Sequence, residues 1–406
     1  MMNRKFIYLI LTFTIFIVIP SAVRSDEFKL IPSVTALEEY NSNVFFGYDN
    51  IKSDFVTTLS PAFELVNRTE RSNANVKIRF DHNHYANNRD LNATDQLYQG
   101  KFGYNITPRF GISADAGYIR DSRPDRDIET TGLVSSALRR ERINAAFSTD
   151  YQVTELTAFL FSYAYGKETY EKEDHSDILT HDINAGLTHD LNKYVPALKG
   201  DLNLGYSNFD FSDTQMDVIM GTIGVSQDIN ELWSARIDAG LRYAHTEFLE
   251  SRLEPVLPPF LYKWVVYEET EDGWGWLGKA FLNYSGERGS GKLTFSRDVR
   301  PSSSGYSNAV TRDALTLSTG FRMTYELSAV LYAGYFTNKS DQFEFSTDII
   351  DTKSYYISPG ISYKISKDIF VKSSYNYTKY YNKVADTEAD RHLFSIRLYI
   401  QHPLLE

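Results

Sequence analysis

The 406-residue sequence contains no cysteine, only four tryptophans, five methionines and twelve prolines. Without cysteine there is no disulfide framework, thiolate metal centre, Cys nucleophile or cysteine-linked lipid anchor. Positive charge is also scarce: 42 Lys and Arg stand against 53 Asp and Glu, a formal charge of −11, and no long basic run occurs. That balance argues against non-specific nucleic-acid binding, and no nucleic-acid partner is expected. Beyond the first twenty residues no apolar run reaches the roughly 20 residues that a transmembrane helix needs. Nor does any segment sustain a helical period.

What the chain has in excess is Tyr (29) and Phe (26). Bulky rings pack well on a pleated surface and so favour strands; a chain this aromatic is not disordered.

The N-terminus reads as a targeting segment. Arg4 and Lys5 precede an apolar run from Phe6 to Ile19, Pro20 ends it, and Val23, Arg24 and Ser25 precede the expected cut. Residues 1–25 are therefore expected to be a signal peptide and 26–406 the exported domain.

Along the remainder the period is two. Ala74, Val76, Ile78 and Phe80 alternate with Asn75, Lys77, Arg79 and Asp81; Ala235, Ile237, Ala239, Leu241 and Tyr243 alternate with Arg236, Asp238 and Arg242. Strict alternation over such lengths is the strand signature. It predicts about eighteen strands, among them 73–86, 109–120, 139–153, 233–248, 274–286 and 391–402. Connections alternate short and long. Short ones include 69–71, 107–108, 230–232 and 366–368; long ones run through 41–52, 121–138, 249–273, 299–310 and 339–352. Short turns at one end and long loops at the other are what a membrane barrel shows. Ten to twelve residues at about 3.3 Å each, tilted by about 40°, rise roughly 25–30 Å, the height of an outer-membrane apolar band. Tyr85, Tyr104, Tyr243, Tyr325 and Tyr363, near strand ends, suit interfacial girdles. The expected fold is thus all-β: a closed antiparallel transmembrane β-barrel of about 18 strands, located in the outer membrane, with short periplasmic turns and long extracellular loops.

Lipid decides which face is which. A basic group at mid-depth on the lipid side costs about 2–4 kcal/mol, so the charged face must line the lumen. The expected pore-lining residues are Lys77, Arg79, Asp81, Lys101, Asp115, Arg142, Asp150, Asp182, Asp201, Arg236, Asp238, Arg242, Lys279, Arg322 and Lys372. A lumen about eighteen strands wide is too large for side chains to fill.

The segments Glu39 to Phe45 (EYNSNVF) and Asp54 to Pro61 (DFVTTLSP), followed by paired amphipathic strands, resemble the β-barrel porin 2 family of Gram-negative outer membranes. The resemblance spans nearly all of the exported chain. It implies an outer-membrane channel or envelope export component, with exopolysaccharide as a partner and no catalytic residues or cofactor. Strands of this class usually finish on an aromatic residue; here Tyr399 lies well before Glu406.

Other features have competing readings. His82 and His84 share a strand face and could grip a metal, but no third ligand stands nearby in sequence; no metal site is assigned. His175, His181, His189, His245 and His392 are scattered among many Ser and Asp residues, and no spacing singles out a hydrolase set. The run Arg139 to Arg142 (RRER) could bind lipopolysaccharide phosphates or form a solvated edge. The acidic run Glu268 to Asp272 reads as hydrated loop or weak cation site. Segment 249–273 is rich in apolar residues for a loop, and Phe260, Tyr262 and Trp264 are its candidates for an inward-folding constriction. The expected function is passive passage or export of hydrophilic solutes, with outer-membrane lipid, lipopolysaccharide and the barrel-assembly machinery as partners. A barrel without an open pore is the alternative and a barrel hydrolase the third reading. Oligomeric state stays open.

Overall fold

A computed structural model describes residues 27–134, 138–171, 176–257, 261–302, 309–340 and 349–404; the signal-peptide reading of 1–25 lies outside them. The strands are β1 (Glu27–Asn41), β2 (Asp54–Arg68), β3 (Ser72–Tyr85), β4 (Ala93–Thr107), β5 (Phe110–Asp121), β6 (Arg140–Gln152), β7 (Thr157–Tyr170), β8 (Ile178–Asp190) and β9 (Leu198–Phe211). They continue as β10 (Thr214–Asp228), β11 (Trp233–Leu257), β12 (Leu261–Ser285), β13 (Gly289–Pro301), β14 (Ala309–Arg322), β15 (Leu327–Ser340), β16 (Ile350–Lys364), β17 (Ile369–Asn382) and β18 (Thr387–Gln401). One four-residue helix, α1 (Ile128–Thr131), sits between β5 and β6.

Each strand pairs antiparallel with the next, and β18 returns to β1 with Ser33 opposite Gln401 and Asn41 opposite Leu393. The sheet therefore closes and leaves no edge, the one sheet geometry whose backbone groups can all be satisfied in lipid. This is the closed 18-stranded antiparallel barrel that the alternation predicts.

The outward face is apolar. Phe55, Leu59 and Phe63 on β2, Ile219 and Ile223 on β10, Ile237 and Leu241 on β11, and Phe394 and Ile396 on β18 are all at least half exposed. Contiguous apolar surface on this scale has no stable contact with water and suits a bilayer. Aromatic pairs lie at both ends of the band. Trp233 meets Tyr284 (4.9 Å) near the short turns, and Tyr243 meets Trp274 (5.1 Å) at the far end. Tyr85 departs from the girdle expectation: it is buried against Val44 and Val56, because the β1–β2 connection turns back over it.

Two expectations about the connections are corrected. Segment 249–273 is largely strand. β11 and β12 pair on from Trp233 opposite Tyr284 to Leu257 opposite Leu261. Beyond Phe248, β11 has no partner in β10, and before Gly278, β12 has none in β13. The hairpin therefore rises above the barrel. Its charges look like loop in sequence but bond within the ribbon: Arg252 meets Glu250 (2.5 Å) and Glu269 (3.1 Å), and Asp272 meets His245 (2.7 Å). Length sorting is also incomplete, since β9 and β10 are joined at the far end by Ser212 and Asp213 alone.

Candidate functional site: a segment across the lumen

Residues 122–134 of the β5–β6 connection do not leave the barrel. From Ser122 the segment runs inward, forms α1, and seats its tip on the opposite wall. Thr131 O accepts from Asn338 Nδ2 of β15 (3.0 Å), and Gly132 O accepts from Ser354 Oγ of β16 (2.9 Å). Glu129 accepts from Asn376 Nδ2 of β17 (2.7 Å), Asp125 pairs with Arg391 of β18 (2.6 Å), and Arg123 pairs with Glu39 of β1 (2.8 Å). Round the ring β15 is ten strands from β5 one way and eight the other, so the segment spans almost the full width of the lumen.

Local chemistry explains the path. Gly132 closes α1 with φ +73°, a left-handed conformation that costs an L side chain about 1–2 kcal/mol. There is no room for a side chain either: a Cβ there would lie 2.3 Å from Phe336 Cβ and 2.5 Å from Ser354 Oγ. Ile128 is buried against Phe46 and Ala389, with Val134 and Tyr380 packed on the same cluster. Apolar burial thus seats the segment, and ion pairs fix its register.

Its origin is held as firmly. Arg140, 1% exposed, meets Asp127 (2.7 Å), Asp121 (2.9 Å) and Glu168 (3.3 Å). Arg142 meets Glu168 (3.0 Å), and Tyr170 donates its hydroxyl to the same carboxylate. Arg126 reaches Asp121 (3.3 Å) and Leu138 O (2.9 Å). Arg140 and Arg142 of the RRER run are therefore engaged with carboxylates at the root of the segment, which differs from a surface phosphate-binding reading.

The electrostatics follow from this enclosure. Burial alone would raise the Asp125 carboxyl, but the Arg123 and Arg391 guanidinium groups outweigh it and hold the pKa well below the ordinary 3.8. Burial would likewise lower Arg123; Asp125 and Glu39 overcome it and keep the guanidinium charged. Burial raises Glu129, with Arg391 only partly opposing it. A latch of charges surrounded by protein is what these directions describe.

Because Glu39, Asn338, Ser354, Asn376 and Arg391 touch a segment inside the barrel, their strand faces are the inner ones, and the register carries that assignment round the wall. By this rule the sequence-assigned residues lie on the inner face. Lys77, Arg79 and Lys372 line one recess there, and Asp81 pairs with Arg79 (2.9 Å). Lys101 meets Asp115 (3.8 Å). Asp182 accepts from Ser207 (2.5 Å). Arg236 joins Asp238 (2.8 Å) and Asp201 (3.6 Å), and Lys279 lies opposite Asp238 in the register. Arg242 reaches Thr311 (3.5 Å). Asp150 lies opposite Gly111, and Arg322 reaches Glu287 O at the short-turn mouth (2.8 Å). None of these residues is on the crossing segment. Tyr262 and Trp264 sit on the raised hairpin, 48% and 70% exposed, and Phe260 lies outside the described residues. The segment that enters the lumen is 122–134, not 249–273: the apolar side chains of the latter stay on a two-stranded ribbon whose backbone bonds are already paired. The sequence offered one signal for the true segment, the mixed-sign run from Arg123 to Asp127 leading into Ile128, Gly132 and Leu133.

His82 and His84 each take a polar neighbour, Thr94 (3.0 Å) and Asn92 (3.3 Å). No group of three metal-ligating side chains occurs among the described residues.

No protein-family model and no curated protein matches the chain. Among solved structures, it is similar to Pseudomonas aeruginosa OpdO at 11% identity, covering 94% of this chain and 98% of that one, with a TM-score of 0.46. It is similar to P. aeruginosa OccK2 (OpdF) in complex with glucuronate at 8% identity, covering 94% and 99%, with a TM-score of 0.47. It is also similar to Fiu, a ferric-catecholate import receptor of E. coli K12, at 8% identity, covering 93% and 82%, with a TM-score of 0.48.

Proposed function

We propose that the chain is an outer-membrane channel for passive passage of small hydrophilic solutes, with the β5–β6 segment as its constriction. The observation that carries this is the pairing of an inner wall lined by charge and hydroxyls with one segment latched across it. A wall of that polarity holds water, and charged groups at a narrowing set solute preference. The segment also separates small solutes from polymers. Exopolysaccharide threading the barrel would have to break the Arg391–Asp125 and Arg123–Glu39 pairs, so the geometry favours small solutes over the polymer that the porin 2 resemblance implies. Outer-membrane lipid and lipopolysaccharide would surround the apolar band, with insertion by the barrel-assembly machinery. No catalytic role is assigned.

One observation favours a second reading, a barrel whose outer half is closed at rest. Val44, Phe46, Ile128 and Leu133 are buried inside it, together with the charge network. Planar-bilayer recording decides between the two. Discrete conductance steps from wild-type protein support the channel. Steps that appear only when the latch is broken, as in Asp125→Asn, support the closed barrel. Silence from both refutes passage altogether.

A further inference from the structure

Directly beneath the crossing segment, in the half of the barrel nearer the short turns, the inner wall carries a recess of about 320 Å³. That is the small end of ligand-sized cavities, about 300–1,000 Å³. Four cations border it: Lys77 and Arg79 on β3, Lys372 on β17 and Arg397 on β18. Lys372 and Arg397 are register partners, directly opposite each other on neighbouring strands. Like charges so placed repel and destabilise a sheet. Lys77 and Arg79 stand two residues apart on one face and add to the same field.

Local carboxylates do not cancel this. Asp81 engages Arg79 at 2.9 Å. Glu64 lies opposite Lys77 in the register, but its Oε1 accepts from Asn75 (2.6 Å) and it does not come within 4 Å of Lys77. Lys372 lies over the Tyr332 ring at 5.6 Å. Among the described residues neither Lys77 nor Arg397 has a carboxylate within 4 Å. Glu129 of the crossing segment also attracts Lys372 through space, so four positive groups face three carboxylates and the concave site keeps a net positive charge. Its remaining surface is of two kinds. Phe370 and Tyr399 form an aromatic flank, with ring centroids 6.2 Å apart, and Ala62 with the hydroxyls of Ser33, Thr35 and Ser362 completes the lining.

We infer that this recess binds a small organic carboxylate, the Lys372–Arg397 pair holding the carboxylate and Phe370 and Tyr399 packing its carbon ring. An anion between Lys372 and Arg397 turns the costly like-charge pairing into two charge-assisted hydrogen bonds. The aromatic flank gives a ring-bearing anion an advantage that phosphate or chloride lacks. The inference rests on the channel reading for its purpose, since the recess is the first stop below the constriction, but binding can be measured without conduction.

The test uses the full barrel in detergent, with benzoate as probe and inorganic phosphate as comparison, read by calorimetry or ligand-observed NMR. Benzoate should bind wild-type protein and bind Lys372→Gln/Arg397→Gln at least about tenfold more weakly, one charge-assisted contact being enough for that factor. Lys193→Gln, in the exposed turn between β8 and β9, should leave binding unchanged. The double variant loses a repulsion, so its heat-modifiable mobility and thermal midpoint should match or exceed wild type, which separates a lost site from a lost fold. No benzoate binding to wild type, or equal binding to the double variant, overturns the site; equal affinity for phosphate overturns the aromatic part. Bilayer recording of the same preparations separates the two readings. Binding with no conductance refutes the channel and leaves the site, whereas conductance with no binding refutes the site alone.

Discussion

Replacing Asp125 by Asn should release the crossing segment. Asp125 holds Arg391 at 2.6 Å and Arg123 at 3.1 Å. Arg123 keeps a second carboxylate in Glu39, but Arg391, 1% exposed, keeps only the face of Phe46 (4.7 Å) and the through-space attraction of Glu129. Removing one member of a buried pair costs about 3–5 kcal/mol, because the other charge stays buried. Solvent reaching the lumen pulls the figure toward the low end. At about 1.4 kcal/mol per factor of ten, about 3 kcal/mol means roughly a hundredfold rise in the undocked population. The absence of cysteine makes this measurable. Leu133, 3% exposed beside the tip, can be replaced by Cys as the single thiol of the chain. Maleimide should label Leu133→Cys slowly in the parent and roughly a hundredfold faster with Asp125→Asn. Adding Arg391→Met removes the stranded charge and should return part of the protection. Equal labelling of Leu133→Cys with and without Asp125→Asn would refute the latch, and recovery by Arg391→Met tests that the cause is the buried cation.

The same thiol reads out pH. Asp125, with its pKa depressed, supports docking above its ordinary 3.8 and loses that support only as pH falls through the lower docked value. Glu129, with its pKa raised, contributes fully below its ordinary 4.5 and loses its contribution as pH rises through the higher docked value. Protection of Leu133→Cys should therefore peak in mild acid and fall toward neutrality, and Glu129→Gln should flatten that neutral-side slope. Gly132→Ala should undock the tip with no change of charge, seen as faster labelling and larger conductance steps; unchanged values would mean the tip is not seated as described. On the outer wall, Ile237→Lys should cost about 2–4 kcal/mol and deplete the heat-modifiable folded band, whereas Thr316→Lys, on the inner face of β14, should leave it near wild type. Shortening the raised hairpin between 251 and 267 should not alter conductance, since its described residues pair only with each other.

The wall of the barrel is legible in the sequence because its determinants are local. On β3 the apolar set Ala74, Val76, Ile78 and Phe80 must face one way once Lys77 and Arg79 face the other, and a one-residue slip would put both cations in lipid. The upper β11–β12 hairpin was harder to see. Glu268 to Asp272 reads as solvated loop, yet each residue there lies opposite one between His245 and Leu249, and a ribbon above the bilayer has no reason to be apolar on both sides. Apolar content alone misdirects at this point: Trp264 and Tyr262 remain exposed on a finished ribbon, while the less apolar run from Arg123 to Gly132 goes inside. That run is opaque because its contacts are remote in sequence. Thr131 is held from 207 residues away, Gly132 from 222 and Asp125 from 266. Only closure of the sheet brings those partners to face it.

The basic recess shows where one-strand reasoning stops. Alternation places Lys77, Arg79 and Lys372 on the inner wall one at a time, and taken singly each looks like an ordinary lumen charge to be balanced by an acid elsewhere. The decisive facts belong to pairs. Lys372 stands opposite Arg397 because Ile369 begins its pairing at Ile400, and β3 comes within reach of β17 and β18 because β1 closes the ring between β18 and β2. Shift either register by two residues and Lys372 would face Ser395 or Tyr399, leaving no like-charge couple and no reason for an anion. The charge excess is therefore a property of closure, and a variant that preserves composition can test it: exchanging Arg397 with Ser395 keeps both side chains on the inner face of β18 while breaking the opposition. If benzoate affinity survives that exchange, net lumen charge suffices; the recess geometry requires that it fall with the Lys372→Gln/Arg397→Gln variant.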